Sequence, residues 1–188
     1  DACFPGTVAY PNALACGLSS LNPLMHPAGV LMNAGRIERS RGEFYFYDEG
    51  VTPAVVKVIE AVDGERRALG RALGLDLSPV AEGFAKAGFG PAGDLWAVIN
   101  GSRMLTALRA PGAIDTRWLT EDTPYGLVTW ASLAAEVGLP TPIMDAVITL
   151  VSTALGRDCR AAGRTAADLG LAGLSPAAIT ALLEAGWG

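Results

Sequence analysis

At 188 residues, 51% of them hydrophobic, the chain fits one domain that buries roughly 70% of the surface its unfolded form exposes. Its 14 Lys and Arg against 19 Asp and Glu leave a net charge of −5. That balance excludes a nucleic-acid surface, which needs a basic excess on one face, and adhesion to anionic lipid, so small molecules or other proteins are the expected partners. Cys3, Cys16 and Cys159 are an odd number without C-x-x-C spacing, which suggests neither a disulfide framework nor a metal site and fits a reducing, cytoplasmic setting. The longest apolar run, 146–155, is far short of the ~20 residues of a spanning helix. No secretory leader opens the chain, and its start at Asp1 rather than Met suggests a processed or cut end.

Taken in order, 1–11 reads as an irregular lead-in, and Leu14, Leu18, Leu21 and Met25 predict a buried helix over 12–25. Pro27 should kink or break that helix beside His26, with a resumed helix over 28–34 ended by Gly35 and a charged loop over 35–42. The aromatic run 43–47 suggests a short strand or extended segment. Thr52 and Pro53 form a cap and first-position pair for a long helix ending at Gly74, its inner face marked by Val55, Val58, Ile59, Val62, Leu69 and Leu73 and Asp63 placed elsewhere. Ser78 and Pro79 start a shorter helix to about Ala87. The spacing Gly88, Gly90, Gly93 matches G-x-G-x-x-G, but no apolar strand precedes it, so a dinucleotide site is rejected there. Further helices are expected over 94–108 (with Leu108 inward), 125–137, 142–155 and 163–171, and after Pro176, with Arg157, Asp158 and Arg160 as surface charge. The sum is an all-α domain of six to eight helices.

Two segments carry the chemistry. TRWLTEDTPYGLV at 116–128 is dense in charge for a chain only 18% charged, and NPLMHPAG holds the single histidine, His26. An imidazole works as an acid or base near neutrality, and a carboxylate beside it fixes its tautomer; Asp122 is the candidate partner. Arg117 can grip a carboxylate through two parallel hydrogen bonds. Trp118 and Tyr125 are candidate walls of the pocket, and Asn22 sits one helical turn before His26. Two structural alternatives stand beside this reading: His26 as a satisfied core histidine, and Arg117 with Asp122 as an ion pair at a loop corner. The 96 residues between His26 and Asp122 do not decide whether they meet.

NPLMHPAGVLMNAGRIE (22–38), FYFYDEGVTP (44–53), D-x-E-R (63–66), TRWLTEDTPYGLV, LPTPIMDAVI (139–148) and GRTAADLGL (163–171) occur in order over nearly the whole chain. Together they resemble the helical C-terminal domain of the opine dehydrogenases, the octopine, nopaline and related N-(carboxyalkyl)amino acid dehydrogenases, whose fold is like that of 6-phosphogluconate dehydrogenase-like enzymes. The resemblance implies an oxidoreductase that uses NAD or NADP to condense a 2-oxo acid such as pyruvate with an amino acid and reduce the imine. It implies catalytic roles for His26 and Asp122 and a carboxylate-binding role for Arg117. An N-terminal Rossmann domain would bind the cofactor; it is absent from these residues, which alone are expected to be inactive. Where the family has Tyr after the arginine, this chain has Trp118. A related 2-oxo or hydroxy acid reductase, and a non-catalytic carboxylate-binding or homodimer-forming domain, are the competing expectations.

Overall fold

The chain folds into helices, as its apolar spacing and cap residues predict, in a computed structural model that describes residue 7 and residues 9–186; Cys3 and most of the lead-in lie outside them. α1 (Ala13–Leu18) is capped by the Asn12 side chain, which accepts from Ala15 N at 2.8 Å. α2 (Asn22–Met32) follows after a break at Ser19 and Ser20, so the helix expected over 12–25 divides there. No break occurs at Pro27, which lies inside α2. Proline removes one N–H and crowds the preceding turn, yet eight consecutive residues, 23–30, are buried, and packing all round the helix carries it through the defect.

α3 (Ala34–Ser40) takes the place of the expected charged loop. Gly35 does not stop it; Arg41, in the left-handed region at φ 54°, does. The aromatic run after it forms no strand. Tyr45 makes one isolated antiparallel bridge with Arg109, and the chain turns into a π-helical segment, π1 (Phe46–Gly50), closed by Val51 N donating to Phe46 O at 3.1 Å.

α4 (Pro53–Ala72) spans twenty residues, with Pro53 in its first turn as expected, although the Thr52 side chain makes no capping bond. Asp63, expected on its outer face, turns inward because Arg66 meets it there: Arg66 Nε and Nη2 donate to Asp63 Oδ1 at 2.8 and 2.6 Å. Arg66 also donates to Leu18 O at 2.6 Å and Ser78 O at 2.7 Å. The second Asp63 oxygen accepts from Val80 N at 3.0 Å, at the start of α5 (Val80–Lys86). A single buried ion pair thus ties the end of α1 and the beginning of α5 to α4.

The helix expected over 94–108 is two, α6 (Leu95–Asn100) and α7 (Arg103–Thr106), capped by Asp94 and Ser102. Leu108 lies past the end of α7 and is 43% exposed rather than inward. α8 (Arg117–Thr120), a second π segment, π2 (Thr123–Leu127), and α9 (Val128–Glu136) follow. α10 (Pro142–Leu155) begins with the N–H groups of Ile143 and Met144 held by the Glu65 carboxylate of α4, at 2.8 and 2.9 Å. α11 (Cys159–Ala162) buries Cys159. GRTAADLGL is a series of turns rather than a helix, with the Asp168 carboxylate accepting from Thr165 N and Oγ1. α12 (Pro176–Ala185) is capped by Ser175 as expected.

Among the described residues there are twelve α-helical and two π-helical segments and no strand. The all-α class is as predicted; the surplus over six to eight helices lies in pieces of four to seven residues, too short to show a periodicity. No described helix is long and apolar enough to cross a membrane.

α2 lies in the middle of this arrangement, against α4, α8 and α10. Its Gly29 permits a close approach: a Cβ there would lie 2.7 Å from Phe46 Cζ. Helical Gly→Ala ordinarily stabilises by about 0.5–1 kcal/mol, but overpacking costs about 1–3 kcal/mol. Gly29→Ala is therefore expected to destabilise by about 1–2 kcal/mol in urea unfolding; an unchanged midpoint contradicts this packing.

Candidate active site

Three local structures, α8, π2 and π1, converge on His26 of α2. α2 presents Asn22 and His26 four residues apart, on one face. α8 carries Arg117 and Trp118, and Asp122 stands at the head of π2. Gly126 lets π2 approach α2, since a Cβ there would meet Pro23 Cγ at 2.5 Å. π1 brings Phe46 and Tyr47 from the opposite side. Both π segments border the site, and such irregular turns are frequent where a fold positions functional groups.

His26 Nδ1 lies 2.7 Å from Asp122 Oδ2. A carboxylate only accepts, so Nδ1 carries the hydrogen and the imidazole tautomer is set. Nε2 lies 3.2 Å from the Tyr47 hydroxyl. Trp118 stacks on the imidazole with centroids 4.3 Å apart and planes 8° from parallel, and Phe46 supports the indole edge-on at 4.8 Å. The ring is therefore held at both nitrogens and on one face. His26 is 8% exposed, enough to border a cleft.

That cleft, of about 250 Å³, is lined by Asn22, His26, Arg117, Trp118, Glu121 and Asp122. Arg117 does not pair with Asp122; its Nε and Nη2 engage both oxygens of Glu121, the second at 2.9 Å. The Arg117 hydrogen bond holds the Glu121 carboxyl below its usual range. With the Arg117 side chain 83% exposed, this pair is screened by water and exchangeable. A ligand carboxylate can take the same fork.

Tyr125 is not part of the cleft. Pro124 and Gly126 on either side of it turn inward, so Tyr125 projects outward, 52% exposed. Its ring lies beneath the Arg164 guanidinium, 5.6 Å from the centroid, and borders an apolar cavity on one side and a depression shared with Arg117 and Glu121 on the other. Tyr47 is the site residue that sequence reasoning assigned no role. Burial first, and the Asp122 charge second, push its phenol above the ordinary tyrosine range. Its one signal was membership of an aromatic run in a chain only 7% aromatic.

The Gly88–Gly93 loop does not fit a dinucleotide. It follows α5 instead of a strand, and a Cβ at Gly90 would meet Val98 O at 2.1 Å, so that glycine serves packing against α6. Among the described residues, no group of three or more His, Cys, Asp or Glu is placed to hold a metal ion, and Cys16 and Cys159 are free thiols.

Fold and site together define a helical domain that presents a histidine–aspartate pair and an arginine to one open cleft. The profile described as "NAD/NADP octopine/nopaline dehydrogenase, alpha-helical domain" matches residues 9–155, and the chain belongs to that family. It is 38% identical over 181 residues to an opine dehydrogenase of Arthrobacter sp. (strain 1C), covering 96% of this chain and 50% of that protein. Against vitopine synthase of Allorhizobium ampelinum it is 30% identical over 179 residues, covering 94% and 49%. In fold it is similar to octopine dehydrogenase solved with NADH and L-arginine (TM-score 0.65, 20% identity, 93% of this chain and 50% of that one). The octopine dehydrogenase structure with NADH and pyruvate gives a TM-score of 0.68 at 21% identity, covering 95% and 49%. The chain spans about half the length of the relatives it matches.

Proposed function

We propose that this chain is the substrate half of an opine dehydrogenase, an NAD(P)H-dependent oxidoreductase that joins a 2-oxo acid to the amino group of an amino acid. The observation that carries the reading is the 2.7 Å contact between His26 and Asp122 in a cleft shared with Arg117. The reductant belongs to a Rossmann domain outside these residues, and what this chain supplies is binding and proton handling. Arg117 exchanges Glu121 for the carboxylate of the oxo acid or the amino acid, forming two parallel charge-assisted bonds. As the amine adds to the carbonyl, one amine proton shifts to the oxygen. The His26 imidazolium, stabilised by Asp122, gives that oxygen a second proton and water departs, leaving an iminium and a neutral imidazole that regains its proton from solvent. Trp118 walls the cleft and keeps the ring from turning.

Arg117→Ala in the complete enzyme is expected to raise KM for one carboxylate substrate by about 10- to 100-fold while kcat changes little, because the lost bonds are made in ground and transition states alike. Steady-state kinetics with pyruvate and a panel of amino acids checks this. Unchanged KM values for both substrates remove Arg117 from the binding site.

A further inference from the structure

Tyr47 has no part in the steps above, yet it occupies the reactive nitrogen. Its ring is 4% exposed and packs edge-on against Phe46 at 5.1 Å. Its hydroxyl lies 3.2 Å from His26 Nε2 while Asp122 takes Nδ1 at 2.7 Å, so the three side chains form one hydrogen-bonded row. The two ends of the row differ chemically. A carboxylate accepts only, whereas a phenol both donates and accepts.

That difference bears on turnover. An imidazole that loses and regains a proton at Nε2 alternates there between acceptor and donor. In a buried setting either state is costly if its partner has the wrong polarity. A fixed donor such as an ammonium opposes the N–H of the imidazolium, and a fixed acceptor such as a second carboxylate opposes the lone pair of the neutral ring. A hydroxyl serves both by turning its hydrogen. Burial and the Asp122 charge keep the phenol protonated, so it does not become an anion that would trap the cation. The Tyr47 contact is also longer than the charge-assisted bond to Asp122, and is the one that opens when another oxygen competes for Nε2.

Resting on the reading of His26 as the acid–base group, we infer that Tyr47 is a positioning residue: its hydroxyl satisfies His26 Nε2 in both protonation states of the empty cleft and yields that nitrogen to the substrate oxygen when the cleft fills.

Tyr47→Phe removes one oxygen and keeps the ring against Phe46. In the complete enzyme kcat is expected to fall about tenfold with KM values within about twofold of wild type. In the ¹⁵N spectrum of the histidine-labelled complete enzyme, the His26 resonances are identified as those lost in His26→Ala. The Nε2 resonance should move in Tyr47→Phe while Nδ1, held by Asp122, stays in place. Unchanged kcat with an unmoved Nε2 signal overturns the inference, as does a variant that only melts earlier. Should Tyr47→Phe not fold, 3-fluorotyrosine incorporated at position 47 changes the acidity of the phenol at nearly constant shape; it moves the Nε2 signal if the bond exists, and an unmoved signal overturns it. If His26→Ala is inactive and Tyr47→Phe is normal, only the role of Tyr47 falls. An active His26→Ala removes the reading beneath it.

Discussion

Arg66→Ala is expected to remove about 3–5 kcal/mol of folding stability, the range for breaking a buried ion pair from one side. Arg66 is 1% exposed and Asp63 is 4% exposed. The guanidinium donates twice to Asp63 and once each to Leu18 O and Ser78 O. Without it, a buried carboxylate keeps only the Val80 N–H, and two carbonyls lose this donor. For a chain of this size the loss corresponds to a fall in Tm of roughly 10 °C or more. Replacing both partners by apolar residues, Asp63→Leu with Arg66→Met, should recover much of it, since the paired charges themselves cost solvation. Thermal unfolding of the two variants beside wild type checks both statements. A single variant that melts within about 2 °C of wild type would contradict the clamp described for α1, α4 and α5.

Legibility in the sequence followed the physics of each element. α4 could be read because proline at its start and apolar residues at helical spacing act locally, and α12 because Ser175 and Pro176 do. α3 could not, because a helix with Ile37 as its buried residue carries too little apolar signal to offset Gly35 and three charges. Pro27 misled because a local rule predicts a break, while the burial of α2 on all sides is a tertiary fact. Asp63 reads as surface until Arg66, three residues on, is known to turn inward with it.

The site divided in the same way. His26, Asn22, Arg117, Trp118 and Asp122 share one cleft, and their residue types had pointed to proton transfer and carboxylate binding. Their meeting across 96 residues depends on the close approach of Gly126 to Pro23, which no spacing reveals. Tyr125 was grouped with them by proximity in sequence; the π turn leaves it outside the cleft, in an adjoining depression that it shares with Arg117 and Glu121. Tyr47 went unassigned because its role depends on a contact with Nε2, 21 residues away in sequence, that aromatic content alone does not signal.

The second large effect is on turnover. His26 is the sole imidazole of the chain, and Asp122, Tyr47 and Trp118 hold it in place. A positioned general acid–base group contributes about 10²- to 10⁴-fold. The direct measurement is NADH and NADPH oxidation by the complete enzyme with pyruvate and a panel of amino acids, wild type against His26→Ala. The account predicts amino-acid-dependent oxidation in the wild type and a loss of at least about 100-fold in the variant. Wild-type turnover in His26→Ala, or no oxidation with any 2-oxo acid and amino acid pair, would contradict it.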